Sequence, residues 1–271
     1  MKGEQISHKS LFLLATAVAC FIALSTAAQD IRPLQTEDIW MLPTNGISLQ
    51  LGEDYIDGFH SIQDGRQGNL WQDAHMALRW GVSDRMELEV DGVPYKRWHA
   101  DYGQSDAGVG DFSVFGKFRV WKGKNPGTGF GFRLGVKMPN TPSHKAFGTN
   151  QTDFYFSLIG GKGWGRVRVW SNVGIGILDN PFIRQTQDDV LTWGLAGSWD
   201  VTDTITLFGE VQGLWEGSDA PLYGRSNRAF RLGVRYGRGP HWAFDAAVAK
   251  TSGAYYGNWQ ATVGVSYRFH L

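Results

Sequence analysis

Cysteine, net charge and long apolar runs are the features that this sequence has least of. Its single cysteine lies near the start of a chain of 271 residues, and acidic and basic residues balance to a formal charge of zero. Without an excess of positive charge, nothing in the composition favours a nucleic-acid partner. The mean hydropathy is negative, so the bulk composition gives no sign of a helical membrane protein, which would carry several long apolar runs.

The first residues have the features of an export signal. Two lysines precede an apolar run over residues 11–24, and small residues and a polar pair follow it. This pattern predicts that residues 1–28 are a secretory signal peptide, cleaved after Ala27 or Ala28. A lipoprotein is the alternative, but Cys20 lies within the apolar run, with four more apolar residues after it. The mature chain would then be exported without any disulfide bond.

Strict alternation of apolar and polar residues is the dominant pattern beyond the signal peptide. Met76, Leu78 and Trp80 alternate with other residue types, and residues 130–137 and 230–236 show the same period. A period of two residues predicts β-strands with one apolar and one polar face. About twelve strands are predicted, with starts near residues 45, 71, 85, 109, 129, 152, 165, 189, 204, 228, 241 and 258. Most are about ten residues or more, the length at which a tilted strand crosses a bilayer.

The connections between these strands alternate in length. Short turns such as "GVSD", "GKGWG" and "GRGP" follow every second strand, and longer polar loops such as "PNTPSHKAFGTNQ" and "EGSDAPLYGRSN" lie between them. Outer-membrane barrels have short periplasmic turns and long outer loops. The sequence therefore predicts an all-β fold, a transmembrane antiparallel up-and-down β-barrel over residues 45–271, with residues 29–44 as an N-terminal periplasmic lead.

Aromatic residues cluster where strands would meet the short-turn side of the membrane. They share the phase of the apolar face, as expected of rings that lie between lipid and water. The predicted membrane-girdle residues are Trp80, Trp199, Tyr236, Trp242, Tyr267 and Phe269. Trp121 breaks the phase of its strand, which requires either a β-bulge or an inward ring.

The chain ends in its most regular strand, "ATVGVSYRFHL". Because lipid leaves no backbone group unpaired, we expect this last strand to pair with the first and close the barrel. The stretch also resembles the C-terminal signal that the barrel assembly machinery reads in outer-membrane proteins. The residues that match it are Thr262, Gly264, Tyr267 and Phe269. The usual terminal aromatic is absent, since His270 and Leu271 follow.

A family resemblance covers roughly residues 70–180. The blocks "LRWGVSDRMELEV", "GVGDFSVFGKFRVW", "FRLGVKMPNTP", "FGTNQTDFYFSLIGGK" and "SNVGIG" resemble, in order, the transporter-like outer-membrane family named for the meta pathway of phenol degradation. The resemblance implies a channel-like barrel in the outer membrane, linked in some members to uptake of aromatic or otherwise apolar small molecules. The final third of the chain matches only in its pattern of alternation.

The inward face predicted from the strand phase carries charges of both signs, with an excess of positive charge. The predicted pore-lining residues are Arg79, Glu87, Glu89, Lys117, Arg119, Arg133, Lys137, Arg166, Arg168, Glu210, Arg231 and Arg235. Rings of fixed charge set the selectivity of pores, so these residues indicate a charged constriction. The alternative is that the charges pair with one another and fill the lumen, leaving no open path.

These observations predict an outer-membrane channel for passive uptake of small molecules, including aromatic or apolar ones, with no enzymatic activity, no cofactor and no metal site. Its expected partners are outer-membrane lipid, the barrel assembly machinery and a small-molecule solute. One alternative is a closed barrel that acts structurally or binds partners through its long loops. A more remote alternative is a lipid hydrolase, but His60–Ser61 and Ser143–His144 are adjacent pairs in loops, and adjacent residues rarely make a nucleophile and its base.

Overall fold

The computed structural model describes residues 34–179, 187–216, 226–253 and 256–270. The predicted signal peptide with Cys20 and its cleavage sites, the start of the predicted lead, parts of two predicted outer loops and Leu271 lie outside the described residues. Across the described ranges, no helix is long and apolar enough to cross a membrane.

The described chain is built from antiparallel strands. They are β1 (Gly46–His60), β2 (Gln67–Ser83), β3 (Met86–Gly92), β4 (Tyr95–Ala100), β5 (Asp106–Gly108), β6 (Phe112–Lys122), β7 (Gly129–Met138), β8 (Asp153–Trp164), β9 (Val167–Asp179), β10 (Gln187–Asp200), β11 (Ile205–Glu216), β12 (Asn227–Arg238), β13 (Trp242–Ser252) and β14 (Trp259–His270).

Twelve of these strands close into one barrel. Each barrel strand pairs with the barrel strands before and after it in sequence. Because β4 and β5 are not part of this ring, β3 pairs with β6, and β14 pairs with β1. At that seam Ile47 lies opposite Phe269 and Leu49 opposite Tyr267. The predicted strand number and the predicted closure of the last strand onto the first are confirmed. Closure leaves no open edge with unpaired backbone groups in lipid.

The two remaining strands extend one side of the barrel beyond its wall. β4 pairs with the outer half of β2, and β5 pairs with β4. Val93 and Pro94 separate β3 from β4. Proline has no backbone N–H to donate to a neighbouring strand, so the strand is interrupted there. This outer extension makes β1 and β2 the longest strands, with 15 and 17 residues.

The two faces of the strands differ as the alternation predicts. On the outside, Ile175, Leu195 and Leu232 have about half of their surface exposed, whereas Arg231 and Ala247 on the inside are buried. An apolar outer face around a polar interior is the reverse of a water-soluble barrel and suits a lipid environment. The transmembrane β-barrel is therefore the observed fold.

Turn lengths also follow the prediction. At one end of the barrel the described strands are joined by residues 84–85, 123–128, 165–166, 201–204 and 239–241. At the other end, β7 and β8 are joined by residues 139–152. The short-turn end corresponds to the periplasmic side of outer-membrane barrels.

A β-bulge explains the phase break at Trp121. The pairing of β6 with β7 shifts register between Arg119 and Trp121. The extra residue turns the Trp121 ring to the outside, half exposed and 6.2 Å from the ring of Phe130. Of the two explanations considered for Trp121, the inward ring is wrong.

Candidate functional site

Residues 34–44, here called the N-terminal segment, lie inside the barrel. They belong to the predicted lead over residues 29–44, and their side chains contact the inner face of the wall. Thr36, Glu37 and Ile39 are almost fully buried, because the segment turns back from the start of β1 and runs into the lumen. No strand alternation marks these residues, so the sequence pattern gave no indication of where they lie.

Glu37 connects the N-terminal segment to one wall of the lumen. Its carboxylate lies 2.7 Å from Lys117 Nζ on β6, 3.5 Å from Arg79 Nη2 on β2 and 3.5 Å from Arg133 Nε on β7. Glu89 pairs with two of these cations, at 3.1 Å from Arg79 Nε and 2.9 Å from Arg133 Nη2. Three cations from three strands thus converge on one carboxylate of the segment.

Glu87 completes this ionic cluster. Its Oε1 lies 3.0 Å from Lys117 Nζ, and its Oε2 accepts the backbone N–H of Leu42 at 2.8 Å. One oxygen of each of Glu37, Glu87 and Glu89 lies within 4.8 Å of the others, a spacing at which carboxylates can hold a metal ion. The Lys117 ammonium already bridges two of these carboxylates, so the residues present form an ion-pair network.

The opposite wall binds the backbone of the N-terminal segment. Glu210 on β11 accepts the N–H groups of Gln35 and Thr36, the latter at 2.8 Å. Trp170 Nε1 donates to the Thr36 carbonyl at 2.9 Å, and Asn172 Nδ2 donates to the Glu37 carbonyl at 2.7 Å. The segment therefore bridges β2, β6 and β7 on one side and β9 and β11 on the other.

Glycines on the wall make room for the segment. A Cβ on Gly194 would lie 2.5 Å from Thr36 Oγ1, and one on Gly161 would lie 3.0 Å from Ile39 Cγ2. A side chain at Gly194 would therefore require the Thr36 side chain to shift or to be replaced. The wall has a shape complementary to the segment.

The charge state of the segment follows from these contacts. Burial alone would raise the pKa of the Glu37 carboxyl, but the charges of Lys117, Arg79 and Arg133 outweigh it and lower the pKa to about 2. At Asp38 burial is the stronger influence and raises the pKa to about 6, despite Lys117 Nζ at 3.7 Å. Glu37 is therefore fully ionised at neutral pH.

Most of the other predicted pore-lining residues also face the lumen. Arg231 donates to Glu210, and Arg235 is buried with its guanidinium 4.9 Å from the Phe208 ring. Lys137 Nζ lies 2.6 Å from Asp153 Oδ2. These charges have partners within the lumen wall.

Three predicted pore-lining residues lie toward the short-turn end. Arg168 donates to Ser198 Oγ at 3.0 Å and lies 5.4 Å from the Trp40 ring. Arg119 donates to the carbonyl of Asp84 in the β2–β3 turn. Arg166 is displaced from the predicted lumen position because β9 begins at Val167, which leaves Arg166 exposed in the turn.

Two cavities lie on either side of the N-terminal segment. The outer one, the vestibule, has a volume of about 310 Å³, and Gln35 to Glu37 line it together with wall residues. Its other lumen-facing lining residues include Phe115, Arg133, Tyr155, Asn172, Gln212, Tyr256 and Gln260. The second cavity, about 510 Å³, lies beside Ile39–Thr44 and reaches Arg119 and Lys124 near the short turns. The two cavities therefore border different parts of the segment.

The β7–β8 loop packs against the inner face of the outer extension. Phe147 is buried in an apolar cluster with Ile56, Leu70 and Trp98, and the Ala146 N–H donates to Asp106 Oδ2 at 2.9 Å. Ile56 lies opposite Gln260 in the β1–β14 pairing, and Gln260 lines the vestibule. The inward-folded loop thus narrows one side of the outer mouth.

The predicted girdle residues lie at the short-turn ends of their strands. Trp80, Trp199, Trp242 and Phe269 are exposed on the outer face. Tyr267 packs 4.5 Å from the Trp242 ring, and Tyr236 lies opposite Ile205 at the start of β11. A further pair at the outer boundary, Tyr55 and Trp71 with rings 4.8 Å apart, was missed because a bulge interrupts the alternation of β2.

The four residues that match the assembly signal all lie on the closing strand β14. In the seam, Thr262 pairs with Asp54 and Gly264 with Gly52. The Thr262 hydroxyl also donates to the Asp54 carboxylate.

Solved porins share this architecture. The NanC porin matches with a TM-score of 0.55 and 11% identity, over 81% of this chain and 98% of that chain. The KdgM porin, solved in complex with disordered oligogalacturonate, matches with a TM-score of 0.52 and 13% identity, over 82% and 99%. At such low identity the similarity establishes the fold alone.

Sequence comparisons add no closer relative. No protein-family model and no curated protein sequence matches the chain. The resemblance to the family of the meta pathway of phenol degradation therefore stays a prediction.

Proposed function

We propose that this protein is an outer-membrane channel through which small molecules diffuse passively down their gradients. The observation that carries the proposal is the unfilled space beside the N-terminal segment, about 310 Å³ in the vestibule and about 510 Å³ between residues 39–44 and the short turns. Side chains of the wall alone do not fill this barrel. The apolar outer face and the porin architecture support its location in the outer membrane.

The vestibule lining supports passage of small aromatic or apolar solutes. The rings of Phe115, Tyr155 and Tyr256 and the amides of Asn172 and Gln260 line it. Rings offer apolar contact area, and amides orient a polar substituent without a charge. The family resemblance points to the same class of solute.

A second candidate function is a closed barrel that acts through its outer surface. The ion-pair network around Glu37 favours it, since Glu37, Lys117 and Arg79 are buried and fill the lumen between the two cavities. In this reading the N-terminal segment and the cluster that holds it block the lumen.

Single-channel conductance in planar bilayers distinguishes the two functions. The refolded protein without its signal peptide is compared with Arg133→Ala, Arg168→Ala and, as a matched control, Arg166→Ala. Because Arg133 and Arg168 face the lumen and Arg166 is exposed in a turn, we expect discrete conductance steps whose ion selectivity changes in the first two variants only. Silence from protein that is shown to be folded would favour the closed barrel.

A further inference from the structure

The N-terminal segment is held in the lumen without belonging to the sheet. Its backbone hydrogen bonds are made to side chains of the wall, namely Glu210, Glu87, Trp170 and Asn172. Backbone pairing begins only at the junction with β1, where Asn45 N donates to Gly81 O at 2.7 Å. The segment can therefore leave the lumen without breaking any strand pairing of the barrel.

The wall has a charge imbalance that the segment corrects. Around the ionic cluster the wall contributes three cations, Arg79, Lys117 and Arg133, and two carboxylates, Glu87 and Glu89, which leaves 3 − 2 = +1. Glu37 lies within 3.5 Å of all three cations and by itself brings this sum to zero. Asp38 adds a second carboxylate of the segment, 3.7 Å from Lys117 Nζ. Without the segment, the wall would present a positively charged site to the lumen.

We propose that the N-terminal segment is a displaceable plug whose Glu37 carboxylate occupies an anion-binding site of the channel wall. When the segment leaves, the two cavities join, and Arg79, Lys117 and Arg133 become available to a carboxylate or another small anion. The inference rests on the proposed channel function, because it assigns a gate and a binding site to that path. Solute anions would compete with Glu37 for the same three cations.

A reversible cross-link tests whether the segment must move. The variant Thr36→Cys/Gly194→Cys places one thiol on the segment and one on β10. A Cβ built on Gly194 lies 3.2 Å from Thr36 Cβ, near the range of about 3.5–4.5 Å that a disulfide bridges. The protein without its signal peptide has no other cysteine. Each single-cysteine variant serves as a control.

Bilayer conductance is measured on the oxidised and the reduced double variant, and on a variant that lacks residues 34–42. Oxidation should lower the open probability by about tenfold or more, because a covalent tether removes the released state, and a reductant should restore it. The deletion variant should conduct continuously. The single-cysteine variants should not respond to oxidation.

The outcomes separate the plug from the channel. Conductance that is equal in the oxidised and reduced double variant would overturn the plug and leave the channel function intact. Failure of the two cysteines to cross-link in folded protein would also overturn it, since Thr36 would not lie at Gly194. Silence of every variant, including the deletion variant, would overturn the channel function itself.

Ion selectivity of the deletion variant tests the anion site. In a potassium chloride gradient we expect a reversal potential that favours chloride. Lys117→Gln in the deletion background should shift that potential toward zero, whereas Arg166→Ala should not change it. A preference for potassium in the deletion variant would show that the three cations do not form an anion site.

Discussion

The ionic cluster around Glu37 is formed by buried residues that depend on one another. Arg79 has almost no exposed surface and contacts Glu37, Glu89 and, at 4.0 Å, Glu87. Taking an ion out of water is costly, and a buried cluster is stable only while opposite charges balance. Removal of one cation would leave carboxylates without compensation.

Arg79→Ala should therefore destabilise the barrel by about 3–5 kcal/mol. The matched control is Arg166→Ala, whose side chain is 57% exposed and pairs with Asp203 at 2.9 Å. Exposed pairs of this kind contribute about 0–1 kcal/mol. Urea unfolding in lipid vesicles, followed by tryptophan fluorescence, measures both. Equal stability of the two variants would contradict the buried cluster.

Among the strands, the pairing of β6 with β7 shows how a local irregularity depends on glycine. Gly131 lies opposite Arg119, next to the β-bulge that precedes Trp121. A Cβ on Gly131 would lie 2.0 Å from the carbonyl oxygen of Phe118, so the two backbones approach too closely for any side chain. The phase break at Trp121 is compatible with a bulge, but only the pairing with β7 locates it.

Gly131→Ala should destabilise the barrel by about 1–3 kcal/mol, because the backbone must shift to admit the methyl group. Gly160 on β8 is the control, since a Cβ there has nothing within 4 Å. Gly160→Ala should be neutral or stabilising by up to about 1 kcal/mol through loss of unfolded-state freedom. Urea unfolding in lipid vesicles measures the stability of both variants. A larger loss of stability in Gly160→Ala than in Gly131→Ala would show that the close approach at Gly131 is absent.

At the scale of the whole molecule, the exposed apolar side chains on the outer face determine which part of the barrel lies in the bilayer. Leu232, near the middle of β12, is half exposed on the outer face. Tyr95 on β4 is similarly exposed but belongs to the outer extension, opposite Asp73. A charge at the bilayer midplane is costly, and the cost falls to near zero at the interfaces.

Leu232→Lys should therefore lower the free energy of unfolding by about 2–4 kcal/mol, and Tyr95→Lys by about 0–1 kcal/mol. Both variants are compared with wild type in vesicles of the same lipid. If Tyr95→Lys were the more damaging substitution, the outer extension would have to lie within the membrane.

The sequence by itself determined the barrel. A period of two residues assigns a lipid face and a lumen face to each strand, and alternating turn lengths fix the up-and-down order. Closure of β14 onto β1 follows because no backbone group can stay unpaired in lipid. Charged residues such as Lys117 and Arg133 were therefore assigned to the lumen side without any structure.

Only the tertiary structure decided what fills that lumen. Glu37 lies in a short segment with no periodicity, and its partners Lys117 and Arg133 are 80 and 96 positions away in sequence. Periodicity describes the neighbours of a residue along a strand, whereas ion pairs across a lumen depend on how the closed sheet curves and where a non-strand segment fits. The wall was therefore predictable, and its plug was not.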